Sequence, residues 1–325
     1  MKIMVTGATG FIGGFLVPEL QAAGHQLVLP VRKAGVDIAG IATTELQDFY
    51  QAQGWRSLLS GVEVVIHLAG RAHVMKEQQD PVALFHKANV ELPLLIAQQA
   101  AAAGVRRFVF VSSIGVLGNS NTTPFTATDL PKPKELYAQS KLQAEQQLQQ
   151  FCQQTGLELV IIRPPLVYGP DAPGNFGRLL QLVQKPWPLP FGAVHNQRSF
   201  VSVYNLCSLL ALCAQHPKAA NQLFLASDGD DVSTSTLFRQ LKTLSGSRCL
   251  LVPVPQQLLR ALLSFCGLGN LAVRLLDSLT VDISHTRQVL GWTPVYNLAT
   301  GLRLTVEQST SGLRHNAVAN KEMQG

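Results

Sequence analysis

Charge is scarce in this sequence. Asp, Glu, Lys and Arg make up 14% of its 325 residues, against 46% hydrophobic residues. Such a chain is not disordered and can bury a sizeable core. A basic tract is also lacking. The net charge is +6, but the cations are scattered in short pairs such as Arg32-Lys33 and Arg106-Arg107, which argues against a nucleic-acid-binding surface. Its five cysteines form no C-x-x-C pair and have no histidine cluster beside them. Free thiols in a reducing compartment are therefore expected, with no metal and no disulfide. No apolar run reaches about 18 residues without a charge. The most lipid-like stretch, 258–279, is broken by Arg260, Gly267, Gly269, Arg274 and Asp277 and is expected to form lobe or core helices, a helix lying on a membrane surface being the less favoured reading, with no stable membrane insertion. Met1-Lys2 leads straight into a strand, so no leader and a cytoplasmic location are expected.

What is present is alternation. Apolar runs at 3–6, 26–31, 62–69, 107–112 and 157–163 are separated by helix-period stretches at 11–23, 51–60, 82–103 and 134–155. Continuous apolar strands spaced by helices predict an α/β fold, a Rossmann-like doubly wound parallel sheet. After Pro164-Pro165, prolines and glycines crowd residues 169–192 and the alternation becomes irregular. The expected division is a dinucleotide-binding core over 1–165 and a smaller C-terminal substrate-binding lobe over 166–315. Residues 199–226 would return to the core, and 316–325 would be a flexible tail. A last helix is expected at 298–307, with Asp282 near a helix start and Trp292 in the core.

Gly7-Ala8-Thr9-Gly10-Phe11-Ile12-Gly13 follows the first strand and opens the first helix. Gly7 suits a tight turn, Gly10 the close approach of a pyrophosphate, and Gly13 close helix–sheet packing. The free N–H groups of a new helix favour phosphate. The second strand ends in Val31-Arg32-Lys33 without a carboxylate. An acidic residue there would hold the ribose 2′-hydroxyl of NAD, whereas two cations suit the 2′-phosphate of NADP. NADP is therefore expected, with NAD as the alternative.

Tyr137-Ala138-Gln139-Ser140-Lys141 opens a helical stretch. Spacing i, i+4 puts the phenol and the ammonium on one face, where a cation favours the phenolate. Ser112-Ser113 ends a strand upstream, near the mouth where such sheets bind ligands.

These segments, with His67-Leu68-Ala69, Asn89, 163–170 and 198–206, resemble the extended short-chain dehydrogenase/reductase family. The chain looks like its nucleotide-sugar branch around UDP-galactose 4-epimerase, and closer still like bacterial UDP-N-acetyl-hexosamine epimerases and 4-reductases. The resemblance implies that Tyr137 is the acid/base and that Lys141 holds the nicotinamide ribose. Ser113 would hydrogen-bond the reacting oxygen, and Leu68, Ala69, Asn89 and Pro164 would lie near the cofactor. Arg198 would grip the substrate diphosphate, with Asn175 and His73 as further substrate contacts and Glu45 near the adenine. It also implies a homodimer through the helices at 82–103 and 134–155.

Dehydratases of the family carry an Asp-Glu pair after the catalytic hydroxyl. Here Ile114-Gly115 stands there, so elimination of water is not expected. The cations at 32–33 favour NADPH-dependent reduction of a 4-keto UDP-(N-acetyl)hexosamine for surface polysaccharide. Two alternatives stay open, a UDP-sugar 4-epimerase with retained NAD and a non-catalytic NADP-binding sensor or scaffold.

Overall fold

The computed structural model describes residues 1–33, 35–72 and 80–310. His73 and the expected tail lie outside the described residues. In chain order the strands used below are β1 (Lys2–Thr6), β2 (Gln26–Val28), β3 (Val64–His67), β4 (Arg107–Val111), β5 (Glu158–Arg163), β6 (Leu166–Tyr168), β7 (Phe200–Ser202) and β8 (Gln222–Leu225). The helices are α1 (Phe11–Ala22), α2 (Ala52–Leu58), α3 (Pro81–His86), α4 (Leu92–Ala102), α5 (Leu136–Thr155), α6 (Gly174–Gln184), α7 (Val203–Gln215), α8 (Thr234–Leu244), α9 (Gln256–Phe265), α10 (Gly269–Leu276), α11 (Ser284–Leu290) and α12 (Leu298–Thr310).

Six strands form one parallel sheet in the order β8-β5-β4-β3-β1-β2. Every residue of β3 and β4 is buried, as a sheet covered on both faces requires. Side chains alternate between two cores. Ile3, Val5, Ile66, Val109 and Ile162 face α1 and α7, while Met4, Val65, Phe108 and Ile161 face α2, α4 and α5. The chain runs from β1 to β2 on one side and to β3 on the other. That reversal opens a crevice beyond the C-terminal ends of β1 and β3, where sheets of this kind bind ligands.

Two expected elements differ. Residues 26–31 do not make one strand. Pro30 has no N–H for a ladder, so β2 stops at Val28 and Pro30–Val31 pairs instead with Thr44–Glu45. The expected helix over 82–103 is α3 and α4 joined by a π-helical turn, Lys87–Glu91. Pro93 cannot donate to the carbonyl of Asn89, four residues earlier, and the wider turn accommodates that missing bond.

Beyond β5 the chain builds the second lobe around Tyr168, Phe176, Leu180, Phe238, Leu241, Leu275 and Leu302. β6 pairs in parallel with β7 outside the main sheet, whereas β8 joins that sheet beside β5. The loop after β4 is tied to the lobe, with Asn121 N donating to Ser278 O (3.0 Å) and Phe125 N to Thr280 O (2.9 Å). Asp282 accepts from Ser284 N (2.7 Å) at the start of α11, and Trp292 is buried.

Candidate active site

The glycine turn sits in the crevice. Gly7 has φ +75°, and a Cβ there would lie 2.7 Å from Ala69 N. A Cβ on Gly13 would lie 2.5 Å from the carbonyl oxygens of Gly7 and Ala8. The turn is closed by Gly10 N donating to Gly7 O (3.0 Å), and Leu68 N donates to Thr6 O (3.1 Å) alongside. Gly10 caps α1 without a side chain, while Thr9 and Gly10 are exposed and Phe11 and Ile12 half-buried. Phe11 packs against both the sheet core and the lobe core. A backbone cradle that a Cβ would fill, opening on a bare helix N-terminus, fits the pyrophosphate of a dinucleotide.

The adenosine end has mixed charge. Arg32 and Lys33 follow buried Val31 and are exposed. Arg32 and Arg71 both act on the Tyr50 phenol, against Glu91 and Asp48, and the Lys87 ammonium lies 4.7 Å from the centre of the Tyr50 ring. The strand pairing also sets Glu45 directly opposite Val31. Glu45 is itself exposed.

Tyr137 and Lys141 lie in the first turns of α5. Lys141 is buried, and its ammonium donates to Val111 O (2.9 Å) and lies 4.5 Å from the centre of the Phe110 ring. Burial pushes Lys141 down to about 8, with Glu145 opposing. Glu145 is itself locked to Arg163 by two bonds, 2.6 and 2.9 Å, in the buried interior. Tyr137 is half-buried against Phe85 (ring centres 6.2 Å apart), and burial pushes its phenol up to about 12. This reverses the expected direction. Burial of the phenol is the cause.

Ser113 follows β4, and its Oγ accepts from Gly115 N (3.1 Å). A Cβ on residue 115 would lie 3.3 Å from Ser113 Oγ and 3.4 Å from Ala138 Cβ, so Ser113 stands at the start of α5. Pro164 O accepts from Ile114 N (2.9 Å) and brings the end of β5 to the same edge. Asn89 is buried in the π-helical turn. Its side chain accepts from Arg71 N (2.8 Å) and donates to Arg71 O and Ser140 Oγ (3.0 Å each). It fixes the loop after β3 to α5.

Sequence reasoning assigned no role to His67 or Arg274. His67 is fully buried beside the rings of Phe108 and Phe110. Its Nδ1 shares a 2.8 Å hydrogen bond with Thr6 Oγ1, and its Nε2 is buried without a partner. Burial, then the nearby Lys141, push it down to about 3. Arg274 comes from α10 to within electrostatic reach of Arg198. Arg198 Nη1 donates to Asp277 O (2.9 Å). Burial lowers Arg198 to about 10, Asp277 opposes, and Arg274 lowers it further. Arg274 holds Glu135, the residue before α5, at 2.8 and 3.0 Å. Its signal in the sequence was a lone cation inside an apolar helix, first noted only as an interruption. A polar cavity of about 590 Å³ borders this region, lined by Asn121, His195, Asn196, Gln256, Asp277 and Ser278 among others. Asn175 is half-buried in the first turn of α6.

Residues 3–225 match the model of the NAD dependent epimerase/dehydratase family. A UDP-glucose 4-epimerase of Vibrio cholerae is 38% identical over 310 residues, 94% of each chain. The solved structure of MoeE5 in complex with UDP-glucose and NAD has a TM-score of 0.77 at 25% identity, covering 96% of this chain and all of the other. The UDP-glucose 4-epimerase of Thermotoga maritima, solved with UDP-glucose, also reaches 0.77, at 23% identity and the same coverage, a likeness of fold. With its cradle, its Tyr–Lys helix and a match across most of its length, this chain is an enzyme of the NAD dependent epimerase/dehydratase family.

Proposed function

We propose that this protein is a 4-epimerase of a UDP-linked hexose or N-acetylhexosamine, using retained NAD. The observation that carries the substrate class is the partly buried Arg198 within electrostatic reach of Arg274. Arg198 is bonded to the Asp277 carbonyl and Arg274 to the Glu135 carboxylate, and the remaining donors of both guanidinium groups can make charge-assisted bonds to a diphosphate. The 38% relative supports the epimerase among the alternatives, and Glu45 opposite Val31 supports NAD.

The cradle of Gly7, Gly10 and Gly13 would hold NAD, whose nicotinamide would supply reversible hydride transfer at sugar C4. Tyr137 would take the C4 hydroxyl proton and give it back, Ser113 would hydrogen-bond the C4 oxygen, and Lys141 would hold the nicotinamide ribose. Buried Ile114 and half-buried Gly115 offer no carboxylate for elimination of water. A homodimer through α3, α4 and α5 and a cytoplasmic location belong to the same proposal. Among the described residues no helix is long and apolar enough to cross a membrane.

The label test uses UDP-glucose carrying deuterium at C4. An epimerase returns the same hydride, so the galacto product keeps the deuterium, and washing the label out contradicts the proposal. A second reading, NADPH-dependent reduction of a 4-keto sugar, draws on the exposed Arg32-Lys33 pair. Under it, Arg32→Asp shifts preference from NADPH toward NADH. Under the epimerase reading NAD stays the tighter ligand before and after the change.

A further inference from the structure

The carboxylate of Glu135 stands where three parts of the candidate active site meet. Glu135 is the residue before α5, two positions ahead of Tyr137. Its Oε1 accepts from Arg274 Nη2 (2.8 Å) and from Asn119 Nδ2 (3.3 Å), and its Oε2 accepts from the same Arg274 nitrogen (3.0 Å). Asn119 lies in the loop that follows Ser113, and Arg274 comes from α10 of the lobe. One side chain thus joins the helix of the phenol, the loop of the hydroxyl and a cation of the proposed diphosphate grip.

Stability does not account for this pair. The side chains of Arg274 and Glu135 are 42% and 36% exposed, and ion pairs in contact with water contribute little to folding. Glu135 does not cap its helix either, because its side chain makes no capping hydrogen bond. The far end of the pair is held still. Asn196 Nδ2 donates to Leu275 O (3.1 Å) and Asp277 O (3.0 Å), Thr234 Oγ1 to Leu275 O (2.6 Å), and Gln256 Nε2 to Leu276 O (2.8 Å). Arg198 Nη1 donates to the same Asp277 oxygen (2.9 Å). Both guanidinium groups are therefore tied to the closing turn of α10, and Arg274 reaches from it to α5. Its bonds to Glu135 use Nη2, which leaves Nε and Nη1 for phosphate oxygens.

We propose that Glu135 is a positioning residue. Through Arg274 it sets the distance between the substrate diphosphate and Tyr137, and so brings the reacting carbon of the sugar to the phenol. A misplacement of about 1 Å can cost about 10²-fold in rate, which gives a weak ion pair a large kinetic consequence. The proposal rests on the reading of Arg198 and Arg274 as the diphosphate grip.

A double-mutant cycle on the full chain tests it, read by calorimetry with UDP and by turnover of UDP-glucose and UDP-N-acetylglucosamine. Glu135→Ala is expected to lower kcat by about tenfold or more. Its Kd for UDP, which carries no sugar to misplace, should move by less than about threefold, and its melting temperature by no more than about 3 °C. Arg274→Met should weaken UDP by about tenfold or more. Because Glu135 acts through Arg274, adding Glu135→Ala to Arg274→Met should lower kcat by less than about a further twofold. An unchanged kcat in Glu135→Ala overturns the proposal, as does a full multiplicative loss in the double variant. A loss of UDP affinity as large as the loss of kcat makes Glu135 part of the grip and also overturns it. Undiminished UDP binding by Arg274→Met overturns the diphosphate reading, and the proposal with it. Absence of turnover of both sugars by the wild type overturns the 4-epimerase reading together with the proposal.

Discussion

Tyr137 is poorly disposed to lose a proton in the protein alone, because burial holds its phenol up at about 12. The nearby ammonium of Lys141 rests on the Val111 carbonyl and the Phe110 ring. The i, i+4 spacing was legible in the sequence. The direction of the shift was not, because it depends on how deeply the fold buries the ring. Tyr137→Phe is expected to lower kcat by at least about 10²-fold with little change in KM for the UDP-sugar. Steady-state kinetics check this. Lys141 also couples folding to pH. The folded protein gives up this proton near pH 8 and the unfolded chain near 10.5. Between those values the unfolded state binds more protons, so this group's contribution to stability rises with pH and is lost as pH falls through 8. Urea unfolding of wild type and Lys141→Met across that window should show the difference moving in favour of wild type. Parallel curves would contradict it. Arg274 was hidden for another reason, since only the packing of α10 brings it to Arg198. Arg274→Met is expected to raise KM for the UDP-sugar by about tenfold or more, the worth of a charge-assisted hydrogen bond. An unchanged KM would remove Arg274 from the diphosphate site.

Among the elements, α5 carries the chemistry and β5 anchors it through Glu145 and Arg163. Breaking a buried pair by removing one partner strands the other charge. Glu145→Gln should therefore cost about 3 kcal/mol or more, read from urea midpoints. β1, β3, β4 and β5 were legible because strands covered on both faces read as continuous apolar runs. β2 was misread where Pro30 ends the ladder, and the π-helical turn was invisible because periodicity does not register one extra residue per turn. Asn89, inside that turn, was expected beside the cofactor. The structure gives it a tie between the loop after β3 and α5. The glycine turn was legible in pattern, and the reason for Gly13 is steric. A Cβ there meets backbone oxygens at 2.5 Å, so Gly13→Ala should lower both the melting temperature and the affinity for NAD.

At the scale of the whole molecule, one half is a neutral dinucleotide-binding sheet and the other carries the net positive charge. Composition alone showed scattered cations, and only the fold brings two of them, Arg198 and Arg274, within electrostatic reach of each other. The family was legible from the motifs of the first two-thirds of the chain. The choice between reduction and epimerisation was not, because it turns on cofactor retention. Incubation of the purified protein with UDP-glucose and no added cofactor, followed by NMR of the sugar, tests that choice most directly. The account predicts formation of UDP-galactose, or of the galacto epimer from UDP-N-acetylglucosamine. Turnover seen only when NADPH and a 4-keto sugar are both supplied would contradict it.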